Sequence, residues 1–187
     1  MSDPKFPTDR DVELISRDGG ALPRQLDAQL PEPLKLAIVS VFNLLEAAYL
    51  GQFKSVMGDV DKRKFTLRAW AFLLRDIPEQ WITEAAVQLC RESEYIPSVH
   101  RVRQRALMIG SGAPDIDDAF AEACHRAHDP EDRSWSHPVV HRAVHSTGIW
   151  ELTNLPADEV RTRFEANFWK ALEQHHESHA GKKLGRG

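Results

Sequence analysis

Histidine is the residue type in this chain whose spacing comes nearest to chemistry. His125, His128, His137, His141 and His145 crowd into one stretch. His137, His141 and His145 recur every four residues, so one helix face carries all three. Zinc takes neutral imidazoles at that range, but no Cys-x-x-Cys pair supplies the remaining ligands of a tetrahedron. The expectation is therefore a solvated histidine face, with His145 near a helix C-terminus where positive charge is favoured, and no metal or cofactor. Cys124-His125 fails as a nucleophile–base pair, because adjacent residues of a helix do not face each other.

Two basic clusters could contact phosphate. Lys62-Arg63-Lys64 stands at a helix entrance, and Arg101, Arg103 and Arg105 ride on a later helix beside His100. Arg101 and Arg105 share a face by their spacing while Arg103 lies opposite. Lys62, Lys64, Arg101 and Arg105 are the candidate nucleic-acid contacts, and an ordinary solvated helix surface is the competing reading. The formal net charge of −4 argues against a chain built as a whole to wrap nucleic acid. No Walker A loop, G-x-S-x-G elbow or H-E-x-x-H motif occurs. The Gly110–Gly112 segment has no lysine and follows no strand. These residues point to a protein that is not an enzyme.

The elements that must position these side chains are helices. Residues 1–33, with five prolines and Gly19-Gly20, read as an irregular lead-in. From Leu34 to Leu50 apolar residues recur at three- and four-residue steps (Leu34, Ile38, Val41, Phe42, Leu45, Ala48, Tyr49), and Leu36, Val39 and Leu44 add apolar character on other faces. This pattern predicts a deeply buried helix. A second helix is predicted over Phe65–Arg75, with Phe65, Ala69, Trp70, Leu73 and Leu74 inward, ended by Asp76-Ile77-Pro78. A third carries Trp81, Ile82, Ala85, Ala86 and Leu89. A fourth, capped by Ser98, turns Val99, Val102, Ala106 and Ile109 inward. Residues 34–110 thus form an N-terminal helical domain, and residues 111–114 a short linker.

Residues 115–180 form a C-terminal helical region. Asp115 caps a helix to His128. Ser136 caps a helix bearing Val139, Val140, Ala143 and Val144, which ends at Gly148. Trp150 and Leu152 fall in a turn, and a last helix from near Pro156 carries Val160, Phe164, Phe168, Ala171 and Leu172. Residues 181–187 read as a frayed tail. About seven helices and no period-two alternation predict an all-α fold.

The two isolated cysteines, Cys90 and Cys124, fit a reducing compartment. The opening Met1-Ser2-Asp3-Pro4-Lys5 lacks a signal peptide's apolar run. Leu36–Leu45, broken by Ser40 and Asn43, is about half of what a membrane span needs. A cytoplasmic location with no membrane contact is the expectation.

Tyr49-x3-Phe53, Trp70-x3-Leu74-Arg75-Asp76 and Tyr95-Ile96-Pro97-Ser98-x3-Val102-Arg103 follow one another in the first half. The second half adds four further segments: Ala119-Phe120-Ala121-Glu122; Trp135-Ser136-His137-Pro138-Val139-Val140-x2-Ala143-Val144; Gly148-x-Trp150-x-Leu152; and Arg161-x2-Phe164-x3-Phe168-Trp169. Over roughly residues 40–175 this order resembles the phage replicative-helicase loader/inhibitor family, and it is similar in layout to the replication P proteins of lambdoid phages.

The resemblance implies a non-enzymatic adaptor without an ATPase of its own. Such an adaptor binds a DnaB-type hexameric helicase, inhibits it, and loads it onto DNA through an origin-binding or single-strand-binding partner, touching DNA weakly or indirectly. It places the helicase contact in the second half, where Trp150, Phe164, Phe168 and Trp169 are the candidate contacts. In the loader/inhibitor type that half is disordered alone, whereas residues 115–179 here carry caps and amphipathic stripes. The alternative from the residues themselves is a small helical DNA-binding regulator using the Arg101–Arg105 helix.

Overall fold

The structure is a computed structural model that describes residues 30–129 and 134–184, with residues 180–184 described as backbone. Every regular element among the described residues is an α-helix. There are nine: α1 Glu32–Ala48, α2 Leu50–Met57, α3 Val60–Leu73, α4 Glu79–Glu92, α5 Val99–Ser111, α6 Ile116–Ala127, α7 Pro138–Thr147, α8 Ile149–Asn154 and α9 Ala157–Leu184. The all-α class is as the periodicity predicts. Most of the lead-in (residues 1–29), residues 130–133 and residues 185–187 lie outside the described residues.

Two helices beyond the expected number arise from local breaks. Tyr49 leaves helical geometry at φ −126° and ψ 43°, splitting the first helix into α1 and α2. Its hydroxyl donates to the Ser93 carbonyl at 2.8 Å, which fixes the break against the end of α4. The other addition is α8, where a turn around Trp150 and Leu152 was expected. α3 begins at Val60, not Phe65, because the Asp59 side chain accepts from the Lys62 amide at 2.7 Å and caps it. Ser98 and Asp115 cap α5 and α6 as read. At α7 the cap is His137, not Ser136: His137 Nδ1 accepts from the Val139 amide at 3.2 Å, while Ser136 turns to Glu122. α9 continues to Leu184, past the Gly181 at which a frayed tail was expected.

Burial corrects two stripes. α1 buries Leu34, Ile38, Val41, Phe42 and Leu45, but Leu36 and Val39 are exposed. This helix is one-sided, not enclosed. In α3, Phe65 and Leu73 are half exposed, and the inner face is Trp70 and Ala71, continued by Leu74. Trp70 packs edge-on to Phe42 at 5.0 Å, and Phe42 to Phe53 at 6.2 Å. These edge-to-face contacts are geometries aromatic rings favour.

The Gly110-Ser111-Gly112 run has a specific use. A Cβ at Gly110 would lie 2.2 Å from the Trp81 ring, so α5 and α4 approach closely only because this residue is glycine. Ser111 closes α5, and Gly112 caps it at φ 69°, a left-handed conformation that costs glycine little. Residues 113–115 then lead into α6. α9 runs along α7 and also packs on α5 and α6. One core of buried residues therefore extends from Leu34 on α1 to Leu172 on α9.

Candidate functional site

Where α9 crosses α5, an arginine joins the two halves of the chain. Arg103 Nη1 and Nη2 donate to Asp76 Oδ1 and Oδ2, both at 2.7 Å. Its Nε and Nη2 donate to Glu173 Oε1 and Oε2, both at 2.8 Å, and Nη1 also donates to the Leu73 carbonyl at 3.0 Å. The planar fork of guanidinium suits two carboxylates at once. His176 Nε2 completes the group, 3.4 Å from Asp76 Oδ2.

Burial alone would push the Asp76 carboxyl up. The hydrogen bonds and charge of Arg103, its own backbone amide and His176 together outweigh burial and hold it below the usual carboxylate range. The hydrogen bonds that Arg103 donates to Asp76 and Glu173 in turn raise its guanidinium above the ordinary value. The opposite placement of Arg103 from Arg101 was legible; its role as a clamp was missed. An arginine on the inward side of an amphipathic helix requires carboxylate partners, and that signal was available.

On the other side of α5 lies a cleft of about 290 Å³, lined by residues of α4, α5, the start of α6, and α9. Arg101, Gln104 and Arg105 line it with Trp169, Asp115 and Asp117. The structure thus brings together three candidates expected to serve different partners: Arg101 and Arg105, read as nucleic-acid contacts, and Trp169, read as a helicase contact. Arg105 is already committed, donating to Glu92 Oε1 and Oε2 at 3.0 and 2.7 Å. Asp115 is occupied as the α6 cap, and Asp117 pairs with Arg161. Trp169 is half-buried, its ring edge-on to Phe168 at 5.2 Å.

The remaining candidates are dispersed. Lys62 is exposed. Lys64, 3.8 Å from Asp61, lines a different groove between α1 and α3, so the four basic candidates do not form one cleft. Phe164 and Phe168 are wholly buried. They belong to the core, because the row that α9 turns to α7 and α6 is the row these residues occupy, and neither offers surface to a partner. Trp150 stands 65% exposed on α8, beside Ile149 at 55%.

The histidine face is also divided. His137 is the α7 cap and points Nε2 at the Ser111 carbonyl, 3.1 Å away. His141 stacks on Trp135 at 6.1 Å, and His145 is exposed. His137 instead meets His175 of α9, at 5.1 Å between ring centroids. Among the described residues no group of three or more His, Cys, Asp or Glu side chains is placed to hold a metal ion. Both cysteines are free, and burial pushes both thiols up, away from the thiolate form that reacts. Among the described residues no helix is long and apolar enough to cross a membrane.

Compared with protein-family models, curated proteins and solved structures, the chain finds no match in any of the three.

Proposed function

We propose that this chain is a non-enzymatic helical adaptor that binds a DnaB-type replicative hexameric helicase, inhibits it, and loads it onto DNA. The observation that carries the reading is the Ile149–Trp150 pair. Two large apolar side chains stand in solvent on α8, within the Gly148-x-Trp150-x-Leu152 segment of the resemblance, while Leu152 is buried beneath them. Tryptophan is enriched among residues that dominate protein interfaces. A partner's groove that accepts a short apolar helix face needs no further chemistry from this chain. An origin-binding or single-strand-binding protein is the second partner in this reading.

The test is capture of the helicase hexamer by the full chain, together with the helicase's ATP turnover. Binding and inhibition are expected. Trp150→Ala should weaken binding by roughly 2–4 kcal/mol and leave the helical content unchanged. Intrinsic ATP turnover by the purified chain, or no capture of the hexamer, would overturn the proposal. One observation favours the second reading, a DNA-binding regulator: Arg101 makes no ion pair among the described residues. That reading requires salt-dependent DNA binding by the chain alone. Arg103 and Arg105, both engaged by carboxylates, weigh against it.

A further inference from the structure

We propose that the contact between His137 and His175 is a pH-sensitive latch: a proton taken up by His175 frees the entry of α7 from α9, while the core behind it stays packed. Both rings are held in a way that makes this so. His137 Nδ1 accepts from the Val139 amide at 3.2 Å, so that nitrogen carries no proton. Its Nε2, 3.1 Å from the Ser111 carbonyl oxygen, is then the protonated nitrogen and donates to it. One ring thus caps the start of α7 and covers the end of α5, and it keeps no lone pair for a third group.

His175 meets that ring at 5.1 Å between centroids, and the His179 ring at 4.1 Å. The groups whose charge bears on His175 are all basic: His176 and His179 on α9, and His137 and Arg142 on α7. From α5 the contact receives the Ser111 carbonyl, already taken by His137. Glu122 of α6 accepts from Ser136, and the first turn of α7 has no acidic residue. On α9 itself, Glu173 is held by Arg103. Glu177 is exposed and, two residues on, lies on another face of the helix. A charged imidazole at this place has neither a counter-ion nor an acceptor, and a half-buried charge without either is costly.

The cost is relieved by the side that yields more easily. α9 is fixed beside His175 by the Arg103–Glu173 pair and by His176, whose Nε2 donates to the Asp76 carbonyl at 3.1 Å. Bonds to charged groups of this kind outweigh neutral ones. The His137 ring is held by two neutral hydrogen bonds. Behind it Val139 and Val140 are buried and keep the rest of α7 in place. The ring therefore leaves, giving up the Val139 amide and the Ser111 carbonyl, and water reaches the charge on His175.

Proton NMR on the full chain, titrated from about pH 7.5 to about pH 5, tests the latch across the range in which histidine changes charge. The His175 ring signals report its proton. The nuclear Overhauser contact between His137 and His175 reports the latch, and that between Phe120 and Phe164, 5.5 Å apart, reports the core. As His175 takes its proton, the histidine contact should vanish and the Val139 amide should shift toward its uncapped position, with the phenylalanine contact unchanged. His175→Gln should leave the Val139 amide unresponsive to pH. His137→Asp should do the same, because aspartate is a good helix cap and gives the charge on His175 a carboxylate. A protonated His175 that keeps its contact with His137 would overturn the proposal. So would a Val139 amide that still moves with pH in either variant. Loss of the phenylalanine contact together with the histidine one would overturn it too, since the whole core would then be loosening.

Discussion

The helices before Gly112 and those after it solve the same burial problem differently. The first five are arranged around α1 and α4, and each buries one narrow row. Their outer faces keep large apolar side chains in solvent, from Leu36 and Val39 on α1 through Val60 and Phe65 on α3 to Tyr95 before α5. The last four gather around a single long helix, α9, whose Val160, Phe164, Phe168, Ala171 and Leu172 are all buried. There, among the described residues, the exposed large apolar side chains are Ile149 and Trp150, side by side on α8. A long helix enclosed by partners uses its apolar residues fully, and what remains outside is concentrated. Short one-sided helices leave apolar residues scattered, and scattered exposure is a normal feature of protein surfaces that needs no partner to explain it. This is why the proposed docking role falls on two adjacent exposed side chains in the second half and not on the larger, scattered number in the first.

The largest expected effects test whether the two regions share one core. Phe168→Ala on α9 and Trp70→Ala on α3 each remove a buried ring, and each should cost about 3–5 kcal/mol. Because the core is continuous from Leu34 to Leu172, either substitution should lower one common unfolding transition seen by circular dichroism. Two separate transitions, with each variant shifting its own, would show instead that the regions unfold independently.

Next in size is the clamp between them. Arg103→Met leaves Asp76 and Glu173 without their shared cation. Hydrogen bonds to charged groups are worth more than neutral ones, but both carboxylates retain solvent contact, at 42% and 34% side-chain exposure, which screens the loss. A destabilisation of about 2 kcal/mol in urea is expected, with Arg103→Lys recovering only part, since an ammonium cannot reproduce the fork. Full recovery by lysine would show that charge alone matters there.

Much of this organisation was legible before the structure. Helical spacing in α1, α4, α5, α7 and α9 located the buried rows, because each row is deep enough for its apolar residues to outnumber exceptions. The reading failed where one helix face is ambiguous. Phe65 and Leu73 are apolar and correctly spaced, and Leu36 and Val39 add apolar character on other faces of α1, yet no neighbouring helix covers any of them, and sequence does not state how many neighbours a helix has. The resemblance failed on α9, where it makes Phe164 and Phe168 candidate contacts although they lie on the buried row and are enclosed by α6 and α7. The cleft was legible only in pieces. Arg101, Arg105 and Trp169 were each singled out, but their meeting depends on α9 crossing α5, a contact between residues far apart in the chain.

The glycine at that junction of α4 and α5 gives a smaller effect. Gly110→Ala places a methyl group against the Trp81 ring. Overpacking of this kind costs about 1–3 kcal/mol, reduced by alanine's better helix propensity. A thermal melt should show a lower midpoint. A raised midpoint would mean that Trp81 yields easily and that the close approach of α4 and α5 is not maintained by glycine.

The smallest effects are those of pH, and they separate the two regions by where each begins. Burial, then the neighbouring His179, His137, Arg142 and His176, holds the His175 imidazole below its ordinary value of 6.5. The folded chain thus resists a proton that the unfolded chain accepts once pH falls below about 6.5, so stability should begin to decline there as the medium is acidified. The Asp76 carboxyl is also held below its ordinary value, 3.8. Its contribution is intact above that pH and is lost only as pH falls further, through its folded value. Acidification should therefore produce a shallow early loss set by the α7–α9 contact and a later loss set by the Arg103 clamp. His175→Gln should flatten the first and leave the second, while Asp76→Asn should do the reverse at the cost of lower stability near neutrality. Melting midpoints recorded from pH 8 down to pH 3 in each variant measure both limbs, and an early limb that survives His175→Gln would place its origin elsewhere than at the histidine contact between α7 and α9.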